Sequence, residues 1–415
     1  MNTSTLNPGA PLSVPTLRQD AAVIGLVGLA HGVSHFSQLL LAPLFPWLKD
    51  ALDASYTELG FLMTIFFVVS CTTQTISGFI VDRFGPRPIL FAGLTLIGLA
   101  AFGFSISTGY WMMAAFSVLA GIGNGVFHPV DYTLINRKVS ATRLGHAYSF
   151  HGITGSLGWG LAPALLVPLA LAYSWRVALM AAGCVAFAVL AVLLLNRGKL
   201  TLDVAHAHKP GTPVVGAGSM DFLKIPAVWM CFAFFFIYAN VISVVQSFAP
   251  VAAAKLHDVP LVLAATGLTA YMVCAAGGMI LGGFLAADPS RCERIVGVAF
   301  GIAAVLALLL GFAEVPRWAV PVLFGFMGFA SGIAGPSRDL LVKKSTPANA
   351  SGRVYGVVYS GLDIGQACAP LIFGSLMDHQ NYSGVLLGLA VVQSVLIVSA
   401  FNVRRVRRTP GLAAA

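Results

Sequence analysis

The chain is predicted to be an all-α polytopic membrane protein, with 12 transmembrane helices forming two six-helix bundles related by pseudo-two-fold symmetry. Three observations predict this: the composition, the spacing of the apolar runs, and an internal repeat. The 415 residues are 58% hydrophobic and only 9% charged, with a mean hydropathy of +0.86. Soluble chains are about half apolar and about a quarter charged, so this surface is built for lipid. Twelve apolar runs, each near the about 20 residues that a span requires, lie near 20–45, 57–81, 88–108, 111–136, 144–172, 175–196, 226–250, 262–287, 294–313, 317–342, 351–377 and 383–403. Only 197–225 separates two runs by more than a short turn, which leaves no room for a separate soluble domain.

Shifting the sequence by 207 residues aligns its halves. Pro43 meets Pro250, Pro129 meets Pro336 and Pro163 meets Pro370, while Gly121, Gly125 and Gly158 meet Gly328, Gly332 and Gly365. Chance predicts about 0.6 proline coincidences over the overlap. Six helices per unit give both units the same orientation, about an axis along the membrane normal. The expected domains are a disordered cytoplasmic N-terminus over 1–19, a bundle over 20–196, a cytoplasmic linker over 197–225, a second bundle over 226–403 and a basic tail over 404–415.

The net charge of +9 could suggest nucleic acid. Its distribution argues against that. With both ends inside, all but four of the 24 Lys and Arg residues fall at the cytoplasmic side, the exceptions being Lys49, Arg176, Lys255 and Arg317. This is the positive-inside bias that orients helices during insertion. Residues 1–19 lack the basic start and cleavage site of a signal peptide, so helix 1 is expected in the mature chain. Five of the six cysteines lie in apolar runs and none forms a C-x-x-C pair, which argues against disulfides and zinc. Arg404, Arg405, Arg407 and Arg408 fit an anchor to anionic headgroups.

Taken in order, the helices divide by polarity. Helix 1 carries His31, Ser34, His35 and Gln38 at spacings of three and four, a single polar stripe. His31-x-x-x-His35 lacks a second His pair, so no metal is expected. After helix 2 comes a charged turn, Gly78-Phe79-Ile80-Val81-Asp82-Arg83-Phe84-Gly85-Pro86-Arg87. Gly78 would let helices approach, and Asp82, Arg83 and Arg87 either hold one transport state by charge contacts or anchor topology. In helix 4, His128 and Asp131 are three apart and share a face. Counted at 1.5 Å per residue from the cytoplasmic end, Asp131 lies roughly 9 Å deep and His128 roughly 13 Å, and His151 in helix 5 roughly 12 Å. Three titratable groups thus share a level, as a proton-coupling or substrate-binding cluster or as a structural network beside Pro129. A His beside a carboxylate exchanges protons near neutral pH.

In the second unit, Arg338 and Asp339 occupy the positions equivalent to Asp131 and Tyr132. Arg338 could meet an anionic substrate or pair with Asp339. Asp363 in helix 11 lies roughly 20 Å deep, with Gln366 one turn away, as a coupling or binding residue or as a partner to Arg338 or the 78–87 loop. Helices 3, 6, 9 and 12 are nearly devoid of strong polar groups and should face lipid, leaving the others around a wet cavity.

The 78–87 turn resembles the G-x-x-x-D-R-x-G-R-[KR] loop between helices 2 and 3 of the major facilitator superfamily, with Pro86 replacing one basic residue. Two blocks, His35-Phe36-Ser37-Gln38 with Pro43-Leu44-Phe45-Pro46, and Val126-Phe127-His128-Pro129, resemble its fosmidomycin-resistance branch. The Gly152–Pro163 stretch of helix 5 is similar to the glycine-rich motif of facilitator antiporters, or reflects close packing. The resemblance implies a secondary transporter of the bacterial inner membrane. It would move a small organic or drug-like solute by alternating access, as a monomer, by proton-coupled export. Proton-coupled uptake of a small organic acid is the alternative, and a polytopic membrane enzyme is the third reading. The partners expected are a small-molecule substrate, protons and the bilayer. No cofactor is expected, and the lack of a G-x-x-x-x-G-K-[ST] loop argues against ATP drive.

Overall fold

A computed structural model describes residues 16–202, 226–285, 291–345 and 351–408. The described residues fold into fifteen α-helices: α1 Leu17–Gln38, α2 Phe45–Leu52, α3 Tyr56–Phe84, α4 Pro86–Ile106, α5 Tyr110–Asn124, α6 Phe127–Lys138, α7 Leu144–Ala172, α8 Trp175–Leu195, α9 Pro226–Ser247, α10 Ala249–Leu256, α11 Leu261–Leu285, α12 Cys292–Phe312, α13 Ala319–Ser345, α14 Ser351–Asp378 and α15 Tyr382–Arg408. Ten segments are long and apolar enough to cross a membrane. α14 and α15 complete two sets of six.

Helix starts follow local sequence. Thr16 caps α1 in a reciprocal arrangement with Gln19, and Ser55 caps α3 with Glu58. Such boxes satisfy two of the amides a helix start leaves orphaned. Three predicted runs are broken. The first becomes α1, a 3-10 turn over Ala42–Leu44 and α2, because Pro43 and Pro46 lack the amides to continue the ladder. Its repeat counterpart breaks at Phe248, just before Pro250, into α9 and α10. Helix 4 breaks into α5 and α6 ahead of Pro129. The counterpart of Pro129, Pro336, lies inside the continuous α13. The expected boundaries shift too: α1 begins at Leu17, inside the predicted tail, and α15 runs through Arg408, so the first arginines of the basic tail are helical. Most of the linker lies outside the described residues.

The repeat has a packing cause. A Cβ on Gly121 would sit 2.6 Å from the Phe66 carbonyl oxygen, and one on Gly328 would sit 2.1 Å from that of Tyr271. Gly125 and Gly332 press likewise on Ser70 and Ala275, and Gly158 and Gly365 on Gly32 and Phe236. Each pair lets one backbone lie against its neighbour, the small-residue contact that holds helices together where lipid removes the hydrophobic drive. α4, α8, α12 and α15 pack within their own halves, as expected of peripheral helices.

The halves meet along two seams, α3 with α14 and α7 with α11. On the first, Asp378 accepts hydrogen bonds from the Tyr56 and Thr57 amides at 2.7 and 2.9 Å and from Thr57 Oγ1 at 2.6 Å. Gly374 lies against Thr57 and Gly60 against Pro370, and Thr64 Oγ1 donates to the Ala367 carbonyl at 2.6 Å. On the second, Thr269 Oγ1 donates to the Gly160 carbonyl at 3.4 Å, and Ser156 lies against Met279. Phe45 and Phe248, at the two proline breaks, meet at 6.0 Å. The named α3–α14 contacts run from the far end, where α3 starts and α14 stops, to Thr64 and Ala367.

Candidate functional site

Most of the polar interior lies in the first half. α1 places its stripe against α6 and α7, and three of the predicted residues converge with a fourth. Asp131 is fully buried, and its Oδ2 lies 3.0 Å from His31 Nδ1 and 3.1 Å from His151 Nε2. The His31 and His151 rings stack at 3.4 Å. His128 stands 5.5 Å from His31 and 6.3 Å from His151, and His35 is 4.4 Å from His31. Gly155 keeps the space open, since a Cβ there would meet His35 and His31 nitrogens at 2.9 and 3.1 Å. One ring nitrogen from each of His31, His128 and His151 lies within 4.8 Å of the others. Spacing along helix 1 alone gave no ground for such a group, because it draws on three helices.

Above the histidines, Asn124 accepts from Ser34 Oγ at 2.7 Å and donates to Ser70 Oγ at 2.8 Å. Gln38 accepts from Trp159 Nε1 at 2.9 Å, and its amide reaches Asn124 Oδ1 at 3.5 Å. Burial costs such groups their water, and these bonds repay it.

In the second half, Asp363 is half-buried, and among the described residues it has no hydrogen-bond or ion-pair partner. It lies one turn before Ala367 on the α14 face that meets α3, near the Cys71 thiol. Gln366 is buried with its Oε1 unpartnered, and both side-chain polar atoms of Gln246 are unpartnered as well. The side chains of Arg338 and Asp339 lie outside the described residues, as does that of Asp82.

The 78–87 turn differs in part from expectation. Gly78 was expected to admit a close helix, yet among the described residues a Cβ there would meet nothing within 4 Å. Gly85 has φ +80°, a conformation that costs an L side chain, and it joins α3 to α4. Arg83 is exposed over the Phe84 ring, and Arg87 donates to Thr201 Oγ1 at 2.7 Å, within its own half.

Sequence reasoning missed two acids. Asp20, fully buried, accepts from Ser140 Oγ at 2.6 Å and Arg143 Nε at 2.8 Å, tying the start of α1 to the turn before α7. Asp378 bridges the halves. Neither has a local spacing signal, since the partners lie 120 or more residues away.

Two matched six-helix halves around a polar interior define a transporter bundle. The chain matches the model of the Major Facilitator Superfamily over residues 27–325 and 267–414, and it belongs to that family. It is 30% identical over 171 residues to the membrane sensor protein UhpC of Escherichia coli, covering 41% of this chain and 38% of that protein. The chain therefore spans well under half the length of that relative. It is 21% identical over 396 residues to the hexuronate transporter of Bacillus subtilis, covering 91% and 93%. A solved structure of a bacterial homolog to the human lysosomal transporter Spinster superposes with a TM-score of 0.76 at 13% identity, covering 94% of this chain and 98% of that one. The chain is thus a multi-pass membrane protein of a family that transports small solutes, not an enzyme.

Proposed function

We propose that the chain is a proton-coupled secondary transporter of a small organic acid or related drug-like solute, working by alternating access in the bacterial inner membrane with both termini cytoplasmic. The observation that carries the coupling is Asp363. It is a carboxylate with no described partner, one turn before Ala367 on the α14 face that meets α3. An anion left unpaired in a low-dielectric site is costly, and binding a proton removes the cost. Asp363 therefore accepts the proton that lets the seam close over it and releases it when the seam parts. His35, Gln38, His128, Asp131, His151, Arg338 and Gln366 line the solute's path, and Gly78, Asp82, Arg83, Gly85 and Arg87 form the gating turn between α3 and α4.

Export against protons is the reading that the helix-1 and helix-4 resemblance supports. Uptake of an organic acid is the second reading, favoured by relatives named as hexuronate, niacin and phosphoglycerate transporters. Proteoliposomes loaded with a panel of organic acids test both. Solute-dependent proton movement is expected, and its direction separates antiport from symport. Asp363→Asn is expected to retain solute exchange at equal pH while losing gradient-driven accumulation. An Asn variant that still accumulates solute as well as the parent would remove Asp363 as the carrier.

A further inference from the structure

We propose that His31, His128 and His151 form a binding site for one divalent transition-metal ion, with Asp131 positioning two of the three imidazoles. Four features meet here. The donor set is right, since imidazole suits zinc, cobalt, nickel and copper. Three protein nitrogens with a fourth position left open is the arrangement of zinc sites that bind an exchangeable ligand.

The distances are close to what is needed. Metal–nitrogen bonds of about 2.0–2.1 Å place two nitrogens on one ion no more than about 4.2 Å apart. The nitrogens lie within 4.8 Å of one another, so ring shifts of up to about 0.6 Å, with a rotation that unstacks His31 from His151, bring them onto one ion.

The surrounding shell fits as well. Ligating histidines almost always give their other ring N–H to a carboxylate or carbonyl, which fixes the tautomer and leaves the lone pair facing the metal. His31 Nδ1 and His151 Nε2 lie 3.0 and 3.1 Å from the same oxygen of Asp131, placed to donate to it in the tautomer that would leave the opposite nitrogens for an ion. One carboxylate thereby aligns two rings that come from helices 120 residues apart in sequence.

The charge fits too. Asp131 is fully buried, and the described groups facing it are the imidazoles of α1, α6 and α7, with no Lys or Arg among them. A buried carboxylate needs a counter-charge, and a dication on the imidazoles supplies one. The site is not sealed: His128 is half-buried and neighbouring Tyr132 is exposed.

The test uses full-length protein in detergent without a polyhistidine tag, stripped with chelator and equilibrated with Zn(II) or Co(II) alone. About one ion per chain is expected by elemental analysis, with intense Co(II) bands of a tetrahedral site. His128→Leu and His31→Leu are expected to lose both, and Asp131→Asn to weaken Zn(II) affinity 10- to 100-fold. His379→Gln, a change at an exposed histidine of another region, should bind as the parent does. Should a leucine variant fail to fold, the parent alone decides: Zn(II) should raise its melting temperature where Mg(II) does not. Wild-type protein holding no ion above background, or leucine variants holding as much as the parent, would overturn the proposal. Because no gradient or solute enters, the outcome is independent of the transport reading.

Discussion

The two halves share a skeleton and differ in their interior. Gly121, Gly125 and Gly158 make the same backbone crossings as Gly328, Gly332 and Gly365, and Pro43 and Pro250 sit at equivalent breaks. Yet the positions that hold His31, His128 and His151 in the first half are Tyr238, Gly335 and Val358 in the second. Asp363, in turn, stands where the first half has Ser156. Duplication kept the residues that set how closely helices cross and freed those that face the crevice. Among the described residues, one half therefore holds a bonded network and the other an acid without a partner, so two halves with one skeleton carry unequal chemistry.

The shared skeleton is tested most severely by filling its crossings. Gly328→Val and Gly121→Val each push a side chain into a carbonyl. Overpacking costs about 1–3 kcal/mol and sometimes more, and backbone gives way less than a side chain does. Both variants should lose well over half the yield of monodisperse protein, to similar degrees, as read by size-exclusion profile and thermal unfolding. A large loss in one half only would break the equivalence.

The next effect lies on the seam between the halves. Asp378→Asn keeps the shape but removes the charge that accepts two amides and a hydroxyl. Hydrogen bonds to charged groups contribute about 1.5–3 kcal/mol net, so the far end should open more often. Cysteine pairs placed across the seam beside the clasp, sparing Tyr56, Thr57, Gly374 and Asp378, should then cross-link less efficiently in the variant. Unchanged cross-linking would mean that the clasp does not set the balance between states.

The smallest effects separate the two interiors. Asn124→Ala removes bonds to two other helices, and interhelical bonds in membranes average about 0.6 kcal/mol each. A loss of about 1–2 kcal/mol is expected. Asn240→Ala removes one bond to the Phe236 carbonyl of its own helix and should cost about half as much or less. Denaturant melts of the two variants side by side would show whether the first half is the better-bonded one.

How much of this was legible in the sequence follows from the range of each signal. Helix spacing reports neighbours on one helix, so the His31, Ser34, His35, Gln38 stripe and the His128–Asp131 face were readable. Depth counting brought His151 to the same level because helices in a bilayer share one ruler. The repeat was readable because close backbone crossings tolerate only glycine. What stayed hidden were meetings between helices: His31 with Asp131, Asp20 with Arg143, and Asp378 with Tyr56 and Thr57. No periodicity encodes which faces meet. The proline breaks were half-readable, for Pro43 and Pro250 interrupt their helices while Pro163 and Pro370 are absorbed within α7 and α14.

The clasp made by Asp378 has a consequence for reversibility. Its donors are at the start of α3, where free amides and the helix dipole welcome an anion, rather than on a basic side chain. When the far end parts, both groups sit at a helix end where water can replace the lost bonds, so neither is stranded as a bare charge inside the bilayer. A seal built this way releases with little penalty and reforms without a search among rotamers of a long cation, qualities that the proposed alternating access would call on at every turn.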